Sequence, residues 1–160
     1  MNARRFAIIG ALAMVLAGVS YAHSRDDYLL QGLKQVRVIM EYLGPESKDA
    51  GLTRAEMTPF VERKFRIAGL EVSPLDSDAP SVYVNIQVAK FENIYGYYIE
   101  IQLRESVNPL RLPAPTTATI WHGTPVLAYA GPFRLHEIVS EVETRVDEFI
   151  NAWLSVNSKK

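Results

Sequence analysis

Residues 82–107 constrain the fold of this chain more than any other stretch. They read Val-Tyr-Val-Asn-Ile-Gln-Val-Ala, then a polar and aromatic connection, then Tyr-Tyr-Ile-Glu-Ile-Gln-Leu-Arg. Val82, Val84, Ile86 and Val88 alternate with Tyr83, Asn85, Gln87 and Ala89. Tyr97, Ile99, Ile101 and Leu103 alternate with Tyr98, Glu100, Gln102 and Arg104. Side chains switch faces at every residue of a strand, so each run predicts a strand with one aliphatic face. A short Gly-containing connection makes the pair a hairpin. Its register stays open, because Val88 opposite Tyr97 and Val88 opposite Ile99 both preserve the faces. The aliphatic face must be covered, and the rest of the chain is read as its cover.

The chain opens with Met-Asn-Ala-Arg-Arg, an apolar run over 6–19, and Ser20-Tyr21-Ala22. A basic head, a short apolar middle and small residues before a cut predict a secretory leader over 1–22, cleaved near Ala22, with Ser20 as the alternative. The run is shorter than the roughly 20 residues of a spanning helix, so no stable membrane insertion is expected after cleavage. The product is expected in the periplasm or outside the cell. No Cys is present, which excludes disulfides, thiol catalysis and thiolate metal sites. A net charge of −1, with both signs interspersed, gives no basic patch for nucleic acid. What remains is enough for one core.

Residues 23–32 are predicted to be loose, 33–157 to form one domain, and 158–160 to be a tail. Within 33–43, Val36, Val38, Met40 and Tyr42 share a face, and the β-branched run at 36–39 favours a strand over a helix. Gly, Pro and Ser make 44–51 a loop. Thr53 and Glu56 have the form of a capping box, followed by Met57, Phe60, Val61 and Phe65 at helical spacing and by Gly69 as a stop. Pro59 either kinks this helix or begins it behind Thr58. Residues 70–80 and 108–115 are Pro-rich connections. Residues 117–121 form a short strand, with Ala118 and Ile120 on one face and Thr117, Thr119 and Trp121 on the other. His122-Gly123-Thr124-Pro125 interrupts it, and 126–129 are placed to resume it. The last helix, 135–154, carries Leu135, Ile138, Val139, Val142, Val146, Phe149, Ile150 and Trp153 in one stripe, with acids crowding its early turns.

The expected fold is therefore an α+β two-layer sandwich in the order β-α-β-β-β-α. It has a mixed, mostly antiparallel four-stranded sheet, with two amphipathic helices on one face. Strand one, followed by a helical crossover, should run parallel to a neighbour.

Gly51-Leu52-Thr53 and residues 61–70, 119–131 and 146–157 resemble a group of small exported bacterial proteins to which no activity is attached. The order of elements is similar to that of small envelope accessory domains such as the amino-terminal domain of TolB and the curli-assembly lipoprotein. This chain lacks the lipid-anchor Cys of the second and the propeller that follows in the first. The resemblance implies an envelope setting and a fold, not a function.

Catalytic patterns are sparse. No Ser sits in Gly-x-Ser-x-Gly, no phosphate loop occurs, and His136-Glu137 lacks the second His of a zinc helix. The carboxylate pairs Glu100 with Glu105 and Glu137 with Glu141 sit on faces read as solvated, so no catalytic residue is assigned. Cleavage after Ala22 would leave His23 with a free α-amino group, a copper-chelating arrangement. Only His122 and His136 could assist it, so no metal or cofactor is assigned.

The feature that points to function is aromatic. Tyr83, Tyr98 and Trp121, with Arg104, are placed on the face opposite the aliphatic one. Phe91, Ile94, Tyr95 and Tyr97 cluster at the hairpin tip. Tyr, Trp and Arg dominate interface hot spots. The plain alternative is a solvated sheet face, which normally mixes aromatic and polar residues. Tyr83, Tyr95, Tyr98, Arg104 and Trp121 are the candidate contacts for an envelope protein. The competing reading is a small-ligand-binding domain or hydrolase, with a pocket by the 108–115 loop near His122 and Glu105.

Overall fold

The computed structural model describes residues 26–41 and 43–158. The leader, His23 and Tyr42 lie outside them. The elements in chain order are β1 (Gln35–Met40), α1 (Arg54–Ala68), β2 (Glu71–Val72), β3 (Ser81–Phe91), β4 (Ile94–Val107), β5 (Thr116–His122), β6 (Val126–Ala130) and α2 (His136–Asn157). Short 3-10 segments fill Asp27–Leu30, Pro45–Ala50 and Pro132–Arg134.

The class is α+β, with one open sheet of six strands rather than four. The sheet runs β2-β1-β3-β4-β5, and β6 also pairs β4. Two differences account for the count. First, β2 is two residues long, parallel to β1 through Gln35 with Glu71 and Val36 with Val72. Two residues are too few to show a period, and they lie inside a Pro-rich connection. Second, β5 and β6 share one edge of the long β4. β5 pairs with 102–107 and β6 with 95–99, separated by the Gly-Thr-Pro interruption. The helical crossover makes β1 parallel to β3, and β3–β4 is antiparallel.

The hairpin is tighter than its sequence suggests. Val88 faces Tyr97 and pairing continues to Phe91 with Ile94, leaving Glu92-Asn93 as the turn. Glu92 takes φ 53°, the left-handed region that a tight turn needs. Gly96 therefore belongs to β4 and not to the loop.

α1 starts at the expected N-cap, Thr53, with Glu56 bonded to its hydroxyl. Thr53 Oγ1 accepts from Glu56 N–H at 3.3 Å and donates to Glu56 Oε2 at 2.7 Å. Pro59 lies inside the helix on its exposed side. Gly69, at φ 93°, ends it, and Leu70 N–H reaches back to Phe65 O at 3.0 Å.

Both helices pack on the aliphatic face. Met57, Val61 and Phe65 of α1 and Ile138, Val142, Val146, Phe149 and Trp153 of α2 are buried against Val36, Val38, Val82, Val84, Ile86, Ile99, Ile101 and Leu103. Phe65 and Phe149 meet at 5.3 Å between ring centroids. The segment before β1 is pinned, not loose, over its described part. Leu30 is buried in the core, and Asn157 Nδ2 donates to its carbonyl at 2.8 Å. Trp153 Nε1 donates to Leu33 O at 2.8 Å.

Candidate functional site

Alternation along β1, β3, β4 and β6 sends every second side chain away from the helices, and the register sets these into rows across the sheet. At one end Arg37, Ser81 and Arg104 lie side by side. Next come Ile39, Tyr83, Gln102 and His122, then Asn85 and Glu100, with Glu41, the residue after β1, held alongside by its N–H on Val84 O at 3.0 Å. Beyond these lie Gln87, Tyr98 and Leu127, then Ala89, Gly96 and Tyr129, and last Phe91 and Ile94. The face thus passes from cationic through acidic to apolar.

The cationic end is internally engaged. Arg37 Nε donates to Ser81 Oγ at 2.7 Å, and its Nη1 donates to Ser77 O at 2.8 Å. Arg104 stacks its guanidinium 3.6 Å from the Tyr83 ring centroid and donates from Nε to Gln102 Oε1 at 2.8 Å. In the middle, Tyr98 OH donates to Glu100 Oε2 at 3.0 Å. Burial first, and then that carboxylate, push the Tyr98 phenol above its usual pKa, so it stays a donor at neutral pH.

The apolar end is the open part. Leu127 is 74% exposed, Tyr129 71%, Phe91 66% and Ile94 51%. The Tyr129 ring lies across Gly96, where a Cβ would meet it at 3.6 Å. Glycine leaves the strand without a side chain to pack, and the neighbouring ring covers the gap.

Of the five candidate contacts, Tyr83, Tyr98 and Arg104 stand on this face. Trp121 and Tyr95 do not. Trp121 is 2% exposed, meets the Phe149 ring edge-on at 5.1 Å and donates from Nε1 to Asp27 Oδ1 at 3.1 Å. The cause is a β-bulge. Arg104 pairs with Thr119 and Leu103 with Trp121, so Ile120 is the extra residue and the parity of β5 changes behind it. Tyr95 shares the parity of Tyr97 and Ile99. It is 4% exposed and donates to Asp49 Oδ2 at 3.0 Å.

Two residues on the open face are additional to the expected set, Leu127 and Tyr129. Their signal was available in 126–130, where Val, Ala and Ala alternate with Leu and Tyr. It counts only once β6 is known to lie along β4.

The carboxylate pairs do not form catalytic dyads. Glu100 points to the open face, and strand alternation sends Glu105 to the other. Glu137 is ion-paired with Arg134, and Glu141 with Arg145. A cleft of about 490 Å³ is lined by Lys34, Gln35, Glu71 and Glu105 among others, but by neither His122 nor the 108–115 loop. Among the described residues no group of three His, Asp or Glu could hold a metal ion, and no helix is long and apolar enough to cross a membrane.

No protein-family model, no curated protein and no solved structure matches the chain.

Proposed function

We propose that this is an exported, non-enzymatic cell-envelope domain that acts by protein–protein contact through its open sheet face. The observation that carries the reading is the apolar end of that face, where Tyr98, Leu127, Tyr129, Phe91 and Ile94 adjoin on paired strands without a covering element among the described residues. Contiguous exposed apolar surface of this kind marks interaction sites. The leader pattern at 1–22 supports export. Tyr98→Ala combined with Leu127→Ala should abolish recovery of the partner in a pull-down from the native host, with the folded state intact. Unchanged recovery would reject this face.

A second reading, small-ligand binding or hydrolysis, draws on the cleft around Gln35, Glu71 and Glu105. Ligand-observed NMR with a fragment library tests it. Hits that survive Glu105→Ala and Glu71→Ala would remove the cleft from consideration.

A further inference from the structure

Charge is handled differently on the two sides of the molecule. On the helical layer the ion pairs close. Lys64 bridges Glu143 and Asp147, Arg145 bridges Glu141 and Glu148, and Arg66 meets Glu62. Glu41, whose N–H continues the β1–β3 ladder onto Val84 O, and Glu100 lie on either side of Asn85, and among the described residues neither carboxylate meets a cation. On this face His122 stands beside Gln102 in the adjoining row, and the two guanidiniums, Arg104 and Arg37, stand two rows away, occupied by Tyr83 and Gln102 and by Ser81 and backbone carbonyls.

The row is one-sided in hydrogen bonding as well. Glu41 Oε2 and Asn85 Oδ1 are withdrawn from solvent and have no hydrogen-bond partner among the described residues. The donor that Tyr98 supplies goes to Glu100. The buried oxygens add negative potential that water does not screen, and an arriving cation would meet the outer carboxylate oxygens in that field. Immediately beside this row the apolar end begins.

We propose that the open face docks an extended protein segment that carries a basic side chain alternating with apolar ones. The proposal rests on the contact function argued above and names the partner's chemistry. The cation sits over Glu41, Asn85 and Glu100, and the apolar residues sit over Tyr98 and Leu127 and then over Tyr129. Neighbouring rows are two residues apart along β4, about 7 Å in an extended chain. A segment running along that strand therefore presents basic-x-apolar-x-apolar, in one direction or the other. Arginine suits the site better than lysine, since its planar fork matches two carboxylates and stacks on a tyrosine ring.

The test is a random peptide library displayed on phage, panned on the full chain isolated from an expressing host. Clones that still bind a Leu127→Glu/Tyr129→Glu variant are discarded. The surviving clones should be enriched in Arg or Lys two and four residues from apolar positions. A synthetic peptide of the leading sequence should lose tenfold or more in affinity for Glu41→Gln/Glu100→Gln, and should weaken with salt. Glu100→Gln alone, at a partly exposed side chain that accepts from Tyr98 and keeps that acceptor as an amide, should give part of that loss and guards against a folding defect in the double variant. Survivors without basic enrichment, or with unchanged affinity for these variants, would overturn the cation site and leave the face as a contact surface. No survivors at all would overturn both.

Discussion

Replacing Trp121 by alanine separates the two faces of the sheet by energy. Trp121 is buried behind β5, edge-on to Phe149, with its indole N–H on Asp27. Removing a buried Trp costs about 3–5 kcal/mol, through lost transfer energy and the cavity left behind. Asp27 is partly exposed, so water replaces most of what the indole N–H gave it, and the lost bond adds about 0.5–1 kcal/mol at most. A domain of this size has about 5–15 kcal/mol of stability in all. The variant should therefore lose roughly 10–20 °C in Tm at about 3–4 °C per kcal/mol. Trp121→Phe keeps the apolar contact and should lose about half as much. Urea unfolding followed by far-ultraviolet circular dichroism measures this without relying on the deleted fluorophore, and an unchanged m-value would show that only stability moved. Leu127→Ala, on the other face, should stay within about 0.5 kcal/mol. A Trp121→Ala loss inside that same window would refute the bulge and place Trp121 on the surface.

Thr53→Ala removes both bonds of the Thr53 hydroxyl, from Glu56 N–H and to the Glu56 carboxylate, and should cost about 1 kcal/mol in the same assay; no change would mean that the cap is made by water. Lys64 gives a pH signature. Burial opposes its charge, but the bonds to Asp147 and Glu143 prevail and raise its pKa above the ordinary 10.5. A raised folded pKa favours the protonated form on folding, so this contribution is full below pH 10.5 and is lost as pH rises through the higher folded value. Its carboxylate partners are about half-exposed, so Lys64→Met should cost only about 0.5–1 kcal/mol at neutral pH and should flatten part of the alkaline loss. An alkaline limb identical to that of the parent chain would remove this pair from the account.

The parts of the fold that were legible in sequence are those with a sustained period. The alternation at 82–88 and 97–103 marked the core strands, and the stripe from Ile138 to Trp153 marked α2. Trp121 was misleading for a local reason. Thr117-Ala118-Thr119-Ile120-Trp121 alternates without a break, and a bulge leaves the sequence looking regular while it turns every later side chain over. Tyr95 was legible by parity with Tyr97. Gly96 hid it by suggesting a loop, although in the sheet that glycine is covered by Tyr129 from β6. The open face is assembled from four strands in register, and no single segment shows that Leu127 stands beside Tyr98 or that Glu41 and Glu100 flank Asn85.

Photo-crosslinking in the native host tests the central claim, that the open face is the contact surface, most directly. A reactive residue is placed in turn at Tyr98, at Leu127 and, as control, at Thr144 on the solvent side of α2. One discrete adduct is expected, shared by Tyr98 and Leu127 and absent at Thr144. The same adduct at all three positions, or an adduct at Thr144 alone with the protein folded and abundant, would contradict that claim.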